Sequence, residues 1–304
     1  MTSPADAAVP QNLQALLAQV TVVVVTYNSS HCVAALADGL RALPHVIVVD
    51  NASQDDTCAA VQTHLPAATL VRLPANRGYG VANNEGLARV GTPYALLLNP
   101  DCLVAPASVA ALVAAARTSW GEATLLVPQL VDGVGRKQIN YSWPRHAWRP
   151  RGGAAEGPLN VGYACAAVML INLPRLQATL GDGAGFDPRF FLYYEDEDLC
   201  LRVFQQHGQI LVLPEVEVVH FSRGSVKGAR PWRAEYWRGF HHAQSKIRFQ
   251  FKHFGAAAGR RARRRLLGSA CLNVLARALL LSPKHLARAW GRLRGVWQLG
   301  AAAA

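Results

Sequence analysis

The first 100 residues alternate between short apolar runs and segments with helical spacing. The run Val20–Thr26 is almost entirely β-branched, and the next run, 45–49, follows a stretch whose apolar residues recur every three or four positions. Such a strand-helix-strand order requires crossover connections, which make neighbouring strands parallel and place helices on both faces of the sheet. The pattern predicts an α/β fold with a mostly parallel sheet. The predicted strands are 20–26, 45–49, 69–73, 94–98, 125–131, 210–213 and 217–221, with a further apolar run at 161–171, and the predicted helices are 31–43, 55–64, 106–116, 199–206 and one that ends at residue 89.

A carboxylate follows one of these strands directly. The apolar run Leu96–Leu98 ends at Asn99-Pro100-Asp101, and Pro100 cannot donate to a sheet ladder, so the strand stops there. Asp101 is therefore expected at the carboxyl edge of the sheet, where open α/β sheets bind ligands. A carboxylate at that edge suits a divalent cation that also holds phosphate. An ordinary Asn-Pro-Asp turn explains the same residues equally well.

The positive charge of the chain is confined to its last part. Of the 304 residues, 236–304 contain 14 Lys and Arg and no acidic residue, whereas the first 235 contain 17 basic and 19 acidic residues. The charge therefore says nothing about the ligand of the main domain. The length allows one large domain with an appendage, or two domains. We predict an N-terminal extension over 1–19, a main α/β domain over 20–235 and a basic helical tail over 236–304.

Cysteine usage and the first residues indicate a compartment. The six cysteines lie far apart and show no metal-binding spacing, which is typical of free thiols in a reducing environment. Residues 1–19 contain no Lys or Arg and lack the apolar centre of a signal peptide. We therefore expect a cytoplasmic protein.

A glycine- and amide-rich turn occupies residues 76–86. Glycines let a backbone approach a ligand closely, and the N-terminus of the helix that follows favours anions. The spacing is not GxGxxG and no Walker lysine follows, so neither common nucleotide motif is present. A plain strand-to-helix turn is the alternative.

Four consecutive acids, 195–198, follow the aromatic run Phe190–Tyr194. Their mutual repulsion, together with burial against the aromatic rings, should raise some of their pKa values, which makes a carboxylate a competent base. A solvated helix N-terminus, where acids interact well with the helix dipole, is the alternative. His220 further along is either a metal ligand or a hydrogen-bonded core histidine.

The basic tail contains an arginine cluster, Arg260–Arg265, before the apolar stretch Leu266–Leu281. That stretch has 16 residues and includes Arg277, so it is too short and too polar to cross a membrane. A basic amphipathic segment is typical of binding to an anionic membrane surface. Nucleic-acid binding is the competing interpretation, but Trp290 and Trp297 favour an interfacial anchor, so no nucleic acid is expected.

Taken in order, these motifs resemble the family 2 glycosyltransferases with the GT-A (Rossmann-like) fold. The set comprises the Thr-Tyr-Asn turn at 26–28, the Asp-Asn-Ala-Ser turn at 50–53, the glycine loop, Leu-Asn-Pro-Asp at 98–101, the acidic cluster and the downstream histidine. The closest likeness is to the rhamnosyltransferase-like branch that decorates bacterial surface polysaccharides. The resemblance covers about Val20 to Ser225 and leaves 226–304 largely outside it.

The resemblance implies roles for particular residues. Asp196 is implied as the catalytic base with Asp198 as the next candidate, and Asp101 and His220 as the ligands of Mg²⁺ or Mn²⁺. The Asp-x-Asp metal motif of the family retains only its last acid here. The implied nucleotide-sugar-binding residues are Thr26, Tyr27, Asn28, Asp50, Asn51, Asn76, Arg77, Gly78, Asn83, Asn99 and Asp101, and the implied acceptor-side residues are Glu195 and Trp143.

The resemblance also implies an activity. It indicates inverting transfer of a sugar from a nucleoside-diphosphate sugar to a hydroxyl of a saccharide or lipid-linked saccharide, peripherally at the inner face of the cell membrane. Rhamnose as the donor sugar rests on the resemblance alone. A nucleotidyltransferase and a non-catalytic, membrane-associated nucleotide-sugar-binding adaptor remain alternatives. Release of a nucleoside diphosphate only when donor and acceptor are both present would distinguish them.

Overall fold

A computed structural model of the chain describes residues 11–118, 120–142, 153–222 and 231–299. These residues divide into two compact units. The sheet unit is the described part of 1–76, 83–184 and 200–225, and the tail unit is the described part of 77–82, 185–199 and 226–304. Two internal segments, 77–82 and 185–199, group with the tail in this division. The domain boundaries at 19 and 235 stay a prediction from the sequence.

The elements alternate as the sequence pattern predicts. The strands are β1 Val20–Thr26, β2 Val46–Asp50, β3 Thr69–Arg72, β4 Tyr94–Leu98, β5 Cys102–Leu103, β6 Ala123–Val131, β7 Lys137–Gln138, β8 Tyr141–Ser142, β9 Leu159–Val161, β10 Tyr163–Ala164, β11 Val168–Asn172 and β12 Gln209–His220. The helices are α1 Gln11–Leu17, α2 Ser30–Leu40, α3 Thr57–His64, α4 Tyr79–Leu87, α5 Pro106–Arg117, α6 Leu173–Leu180, α7 Glu195–Gln205, α8 Pro231–Leu279 and α9 Pro283–Gln298, with a 3₁₀ turn at Gly181–Gly183.

The sheet unit is built on one large twisted sheet with the strand order β3-β2-β1-β4-β11-β6-β12-β5. Strands β3, β2, β1 and β4 pair in parallel, and so do β6 and β12. Every residue of β1, β2, β4 and β11 is buried, which is the pattern of strands covered on both faces. The predicted α/β class with a mostly parallel sheet and flanking helices is confirmed.

Three local features differ from the sequence-based prediction. Strand β11, within the apolar run at 161–171, lies antiparallel between β4 and β6, and an apolar pattern carries no information on strand direction. The runs 210–213 and 217–221 form one strand, β12, whose register shifts between Leu213 and Glu217 around Pro214, which cannot donate to the ladder. Helices α1 and α6 were not predicted, and α6 begins where the Asn172 side chain accepts a hydrogen bond from the amide of Arg175.

The tail unit is dominated by the long helix α8, which is kinked at Gly255. The backbone of Gly255 has φ 80°, a left-handed conformation that glycine adopts without strain. The kink divides α8 into a first segment, 231–254, and a second segment, 256–279. A small apolar core joins both segments to α9, and it consists of Ala243, Ile247, Leu266, Val296 and Leu299.

Helix α9 approaches the first segment of α8 through glycines. A Cβ atom at Gly291 would lie 2.0 Å from the carbonyl oxygen of Tyr236, and one at Gly295 would lie 2.4 Å from that of Phe240. Only glycine therefore permits this close contact of the two helix backbones. Within the described ranges, no helix is long and apolar enough to cross a bilayer.

Candidate functional site

The first strand of the sheet unit ends in a turn that the Asp50 carboxylate holds together. Its Oδ1 accepts hydrogen bonds from the hydroxyls of Thr26 (3.1 Å) and Ser53 (2.5 Å), and its Oδ2 accepts one from the amide of Ser53 (3.0 Å). Asp50 is 3% exposed and Thr26 is fully buried. The carboxylate thus shapes the junction between the ends of β1 and β2. Direct contact of Asp50 or Thr26 with a nucleotide stays a prediction.

This junction presents the neighbouring predicted residues at the sheet edge. Asn28, with φ 51°, accepts a hydrogen bond from the amide of Gln54 at 2.7 Å, and Tyr27 beside it is 43% exposed. The Asn51 side chain donates to Asn76 Oδ1 at 3.0 Å. The structure therefore brings the first two predicted turns and the start of the glycine loop together, with the ring of Tyr27 accessible to a ligand.

The remainder of the glycine loop is divided between the units. Asn83 is buried in the sheet unit, and Arg77 and Gly78 belong to the tail unit. Gly78 has φ 89°, and a Cβ atom there would lie 2.1 Å from the carbonyl oxygen of Phe191. The Tyr79 amide donates to that same oxygen at 3.1 Å. Gly78 is thus required for close packing of the loop on the segment that precedes the acidic cluster.

Asp101 and His220 lie together at one edge of the sheet, as the resemblance implied. His220 ends β12, which pairs with β5 directly after Asp101, and its Nε2 is 3.8 Å from Asp101 Oδ1. Ligating atoms of Asp101, Cys102 and His220 all lie within 4.8 Å of one another. Asp101 is 5% and His220 is 9% exposed. The pair is a partly enclosed set of one carboxylate and one imidazole.

Gln138, which the sequence did not single out, fixes the orientation of His220. Its Nε2 donates to the backbone oxygen of His220 at 2.9 Å, so its Oε1, 3.1 Å from His220 Nδ1, acts as the acceptor. Nδ1 therefore carries the proton, and Nε2 presents a lone pair on the side of Asp101. A ring nitrogen held in this way by a neighbouring acceptor is typical of histidine metal ligands.

The ionisation of these groups fits a divalent cation. Burial lowers the pKa of His220, against the opposing effect of the Asp101 charge, which favours the neutral imidazole that a metal requires. Burial raises the pKa of Cys102 well above its usual value, and its thiol donates to the carbonyl oxygen of Ala167 at 3.6 Å. Asp101 and His220 would therefore hold Mg²⁺ or Mn²⁺, while Cys102 packs in the core. The buried Asn99 Oδ1 has no hydrogen-bond partner among the described residues, which leaves a further oxygen for a cation or a nucleotide.

In the tail unit, the acidic cluster forms the first turn of α7. The two residues before it, Tyr193 and Tyr194, have φ values of 68° and 69°, which is unusual for residues with a side chain. Both rings pack edge-on against His242 of α8 at 5.6 Å, and Tyr194 also contacts Phe249 at 5.2 Å. The first segment of α8 thus holds the strained backbone that directs the acidic turn.

Two of the four acids have raised pKa values, as the sequence predicted. Burial, followed by the charge of Asp196, raises the pKa of Glu195 and of Glu197 well above the ordinary range. Glu195 is 5% exposed, and its Oε2 has no hydrogen-bond partner among the described residues. Asp196 is half-buried, and its Oδ1 accepts the amide of Glu197 at 3.0 Å. Asp196 and Glu197 are thus the two acids of the turn that are not buried by exposed area, and of these two Glu197 has a raised pKa.

Asp198 has a different environment from Asp196. Its carboxylate is fully buried, and its Oδ1 contacts Lys252 Nζ and His253 Nε2, the latter at 2.7 Å. Lys252 also donates to Asp187 at 2.7 Å. An acid enclosed between two basic side chains is a structural ion pair, so the geometry favours Asp196 over Asp198 as the base. Neither Lys252 nor His253 was recognised from the sequence, where Lys252 was only counted among the charges of the tail and His253 was not considered.

Further contacts extend this attachment along α8. Ser245 donates to the backbone oxygen of Leu192 at 2.9 Å, and Arg248 donates to that of Arg189 at 2.7 Å. The ring of Phe191 stacks on His241 with centroids 4.3 Å apart. The first part of the predicted tail therefore supports the acidic segment. The predicted acceptor-side residue Trp143 lies outside the described residues.

The raised pKa of Glu195 predicts a pH-dependent effect of Glu195→Gln. A carboxyl whose pKa is higher in the folded protein binds more protons there than in the unfolded chain, so it destabilises the fold as the pH rises above its ordinary value of 4.5. Glutamine does not ionise, so its contribution to stability does not change with pH. Thermal unfolding from pH 4 upward should show the melting temperature of the variant rising relative to the wild type. Glu217→Gln, at an exposed position of β12, is the control, and parallel curves for Glu195→Gln and wild type would show that Glu195 is ionised in the fold.

Comparison with known proteins agrees with this geometry. Residues 21–171 match the model of glycosyl transferase family 2. The N-acetylglucosaminyl-diphospho-decaprenol L-rhamnosyltransferase of Mycobacterium tuberculosis is 28% identical over 208 residues, an alignment that covers 58% of this chain and 66% of that protein. The chain thus spans slightly less than two thirds of the curated relative it matches.

Solved structures show the same fold at low sequence identity. The mannosyltransferase PcManGT from Pyrobaculum calidifontis, in complex with GDP-Man and Mn²⁺, aligns with a TM-score of 0.55 at 16% identity over 92% of this chain and 86% of that chain. S. aureus TarS 1-349 in complex with UDP aligns with a TM-score of 0.53 at 16% identity over 93% and 92% of the two chains. Residues 21–171, just under half of the chain, thus match glycosyl transferase family 2, and the chain has the GT-A fold of these solved glycosyltransferases.

Proposed function

We propose that this protein is an inverting glycosyltransferase. It moves a sugar from a nucleoside-diphosphate sugar to a hydroxyl of a lipid-linked saccharide, in the synthesis of a bacterial cell-surface polysaccharide. The observation that carries the proposal is the Asp101–His220 pair, with Gln138 holding the histidine in the protonation state of a metal ligand. A binding module without catalysis has no need of such a pair together with a half-buried acid such as Asp196.

Each group of residues has a distinct part in this reaction. The exposed ring of Tyr27 stacks on the nucleotide base, and the Asn51–Asn76 pair lines the nucleotide. When bound at Asp101 and His220, Mg²⁺ or Mn²⁺ supplies positive charge that offsets the charge developing on the departing nucleoside diphosphate.

The acidic turn supplies the base. Asp196 accepts the proton of the acceptor hydroxyl, whose oxygen attacks the anomeric carbon from the face opposite the leaving group and inverts it. Glu195, whose pKa is raised by burial, lies on the acceptor side.

The substrates are proposed from the relatives. The matched mycobacterial enzyme is named for L-rhamnose transfer to N-acetylglucosaminyl-diphospho-decaprenol. We infer a nucleoside-diphosphate rhamnose as donor and a polyprenyl-diphosphate-linked saccharide as acceptor. Such an acceptor is membrane-bound, so the enzyme works peripherally at the inner face of the cell membrane, where its basic tail meets anionic lipid. No nucleic acid takes part.

A thermal-shift screen against sugar nucleotides tests the donor. A ligand that binds only the native state raises the melting temperature by mass action, so no acceptor is required. We expect a shift with one deoxythymidine- or uridine-linked sugar that increases when Mn²⁺ is added. If no sugar nucleotide shifts the protein with or without Mn²⁺, the transferase proposal fails.

Variants at Tyr27 serve as matched controls in the same screen. Stacking of a base on an aromatic ring contributes about 1–3 kcal/mol, so Tyr27→Ala should weaken donor binding by about tenfold or more. Tyr27→Phe keeps the ring and should bind like the wild type. Equal loss in both variants would mean that the hydroxyl, and not the ring, makes the contact.

A further inference from the structure

The second segment of α8 carries an outward stripe that changes character along the helix. Residues three, four or seven positions apart lie on one helix face, and the exposed residues of 256–279 follow this spacing. We call the basic half of the stripe the arginine band, and the apolar half with the turn that follows it the leucine tip. The arginine band is Arg261, Arg264 and Arg265, and the leucine tip is Leu272, Leu275, Leu279, Leu280 and Leu281.

The leucine tip is exposed to an unusual degree. Its five side chains are 64–87% exposed. On the opposite face of the same segment, Leu266 is 8% exposed and Ala270 is fully buried, so the segment already has a face that packs inside the tail unit. The tip is thus a contiguous apolar surface beyond what the fold needs. Surfaces of this kind mark sites of interaction with a protein or a membrane.

Three backbone amides at the tip are paired with carbonyl oxygens of the helix. The amides of Leu280, Leu281 and Ser282 donate to carbonyl oxygens at 276, 278 and 277, at 3.0, 3.1 and 3.2 Å. The turn after α8 therefore closes on the helix through its own hydrogen bonds. These three amides would therefore add no unpaired donor in hydrocarbon.

The positive charge of the tail indicates which kind of partner the leucine tip would bind. Residues 236–304 contain 14 basic and no acidic residues. A second copy of this chain would bring the same positive charge to the interface, so the two tails would repel each other. A bilayer containing anionic lipid offers both the opposite charge and an apolar interior.

The distances along the helix fit one leaflet. At a rise of about 1.5 Å per residue, the arginine band and the leucine tip are separated by about 10 Å from Arg265 to Leu272. The leucines extend a further 10 Å or so to Leu279, within the roughly 15 Å hydrocarbon depth of one leaflet. In a helix lying flat on a membrane, charged and apolar residues divide around the axis. Here the exposed ones divide along it, because Arg277, the one charged residue between Leu266 and Leu281, is half-buried.

We propose that the leucine tip inserts into the hydrocarbon of an anionic bilayer while the arginine band remains among the headgroups. The second segment of α8 is then inclined to the membrane surface, with the α8–α9 turn at the greatest depth. This inference rests on the proposed membrane location of the enzyme and specifies which residues enter the lipid. Removing residues 256–304 would not test it, because Ala243 and Ile247 would lose the packing of the tail core. Substitutions at the exposed tip avoid that problem.

Co-sedimentation of the full chain with vesicles tests the proposal. We compare phosphatidylcholine vesicles containing about 30 mol% phosphatidylglycerol with vesicles of phosphatidylcholine alone. The triple variant Leu272→Ser, Leu275→Ser, Leu279→Ser should bind the anionic vesicles at least about tenfold more weakly than the wild type. Val134→Ser, at a 74% exposed position of the sheet unit, should bind like the wild type.

Salt separates insertion from surface attraction. At about 0.5 M NaCl the screening length falls well below that at physiological salt, so binding through charge alone is lost. We expect the wild type to retain residual vesicle binding in that salt and the leucine variant to retain none. Replacement of the arginine band by Gln should abolish the preference for anionic vesicles but leave the residual binding. Loss of all wild-type binding in high salt would overturn insertion.

Two further outcomes would also overturn the proposal. If the leucine variant binds vesicles like the wild type, the tip does not enter lipid. If the wild type forms dimers that the leucine substitutions dissociate, while vesicle binding is unchanged, the tip is an interface between copies of this chain. Vesicle binding needs neither donor nor acceptor, so a failed donor screen together with tip-dependent binding would reject the transferase and leave the membrane proposal intact.

Discussion

Replacing Asp196 with asparagine should lower the rate of sugar transfer by about 10²–10⁴-fold, the usual contribution of a positioned general base. Asparagine has nearly the same shape but cannot accept the acceptor proton. None of the described hydrogen bonds of the Asp50 turn or of the Asp101–His220 pair involves Asp196, so donor binding should be unchanged. Release of nucleoside diphosphate in the presence of acceptor measures the first quantity, and the donor-induced thermal shift measures the second.

The control for this experiment is Asp182→Asn, the same substitution at an exposed position of a 3₁₀ turn. It should transfer sugar at the wild-type rate. Loss of donor binding in Asp196→Asn would show that the residue has a structural role in the donor site. Near-normal transfer in Asp196→Asn, with loss in Asp198→Asn at unchanged melting temperature, would reverse the assignment of the base.

Replacing Lys252 with methionine should lower the free energy of unfolding by about 3–5 kcal/mol, because it removes one partner of a buried ion pair. Asp198 is fully buried, and its remaining described basic partner is His253. Asp187 would lose the same ammonium group. Thermal or denaturant unfolding should show the loss, on the order of 10 °C in melting temperature.

Two matched variants make the cause testable. Arg89→Met breaks the exposed Arg89–Glu85 pair and should cost less than about 1 kcal/mol. Adding Asp198→Asn to Lys252→Met removes the stranded charge and should restore part of the lost stability. If Lys252→Met is as mild as Arg89→Met, or if Asp198→Asn makes it worse, the ion pair does not hold the acidic segment.

Sequence patterns predicted most strands of the sheet unit because the signals for a strand and its end lie within a few consecutive residues. A strand that ends in a proline and an acid gave the position of Asp101, and the order of the motifs gave its pairing with His220 through the resemblance. Gln138 could not be found in this way. It lies on a two-residue strand in a loop, and its role depends on contact with a residue 82 positions later.

In the tail, the sequence did not show which basic residues have internal partners. Lys252 was counted as part of a uniform basic charge, and His253 was not considered, because composition does not record which side chains have partners. In the structure these two side chains are committed to Asp198, while the arginine band faces solvent. One basic segment therefore contains both internal supports and an exposed surface, and only the fold separates them. The antiparallel direction of β11 was hidden for a similar reason, since strand direction is set by distant partners.

During synthesis of the chain, Asp198 is made before Lys252 and His253, which contact it. Its partner Lys252 follows 54 positions later. At a synthesis rate of 5–20 residues per second, this is a delay of about 3–10 s. During that interval the acidic turn has been made but lacks the ammonium, the imidazole and the aromatic rings that fix it. In a nascent chain the acidic turn is therefore completed only after the first segment of α8 has been synthesised.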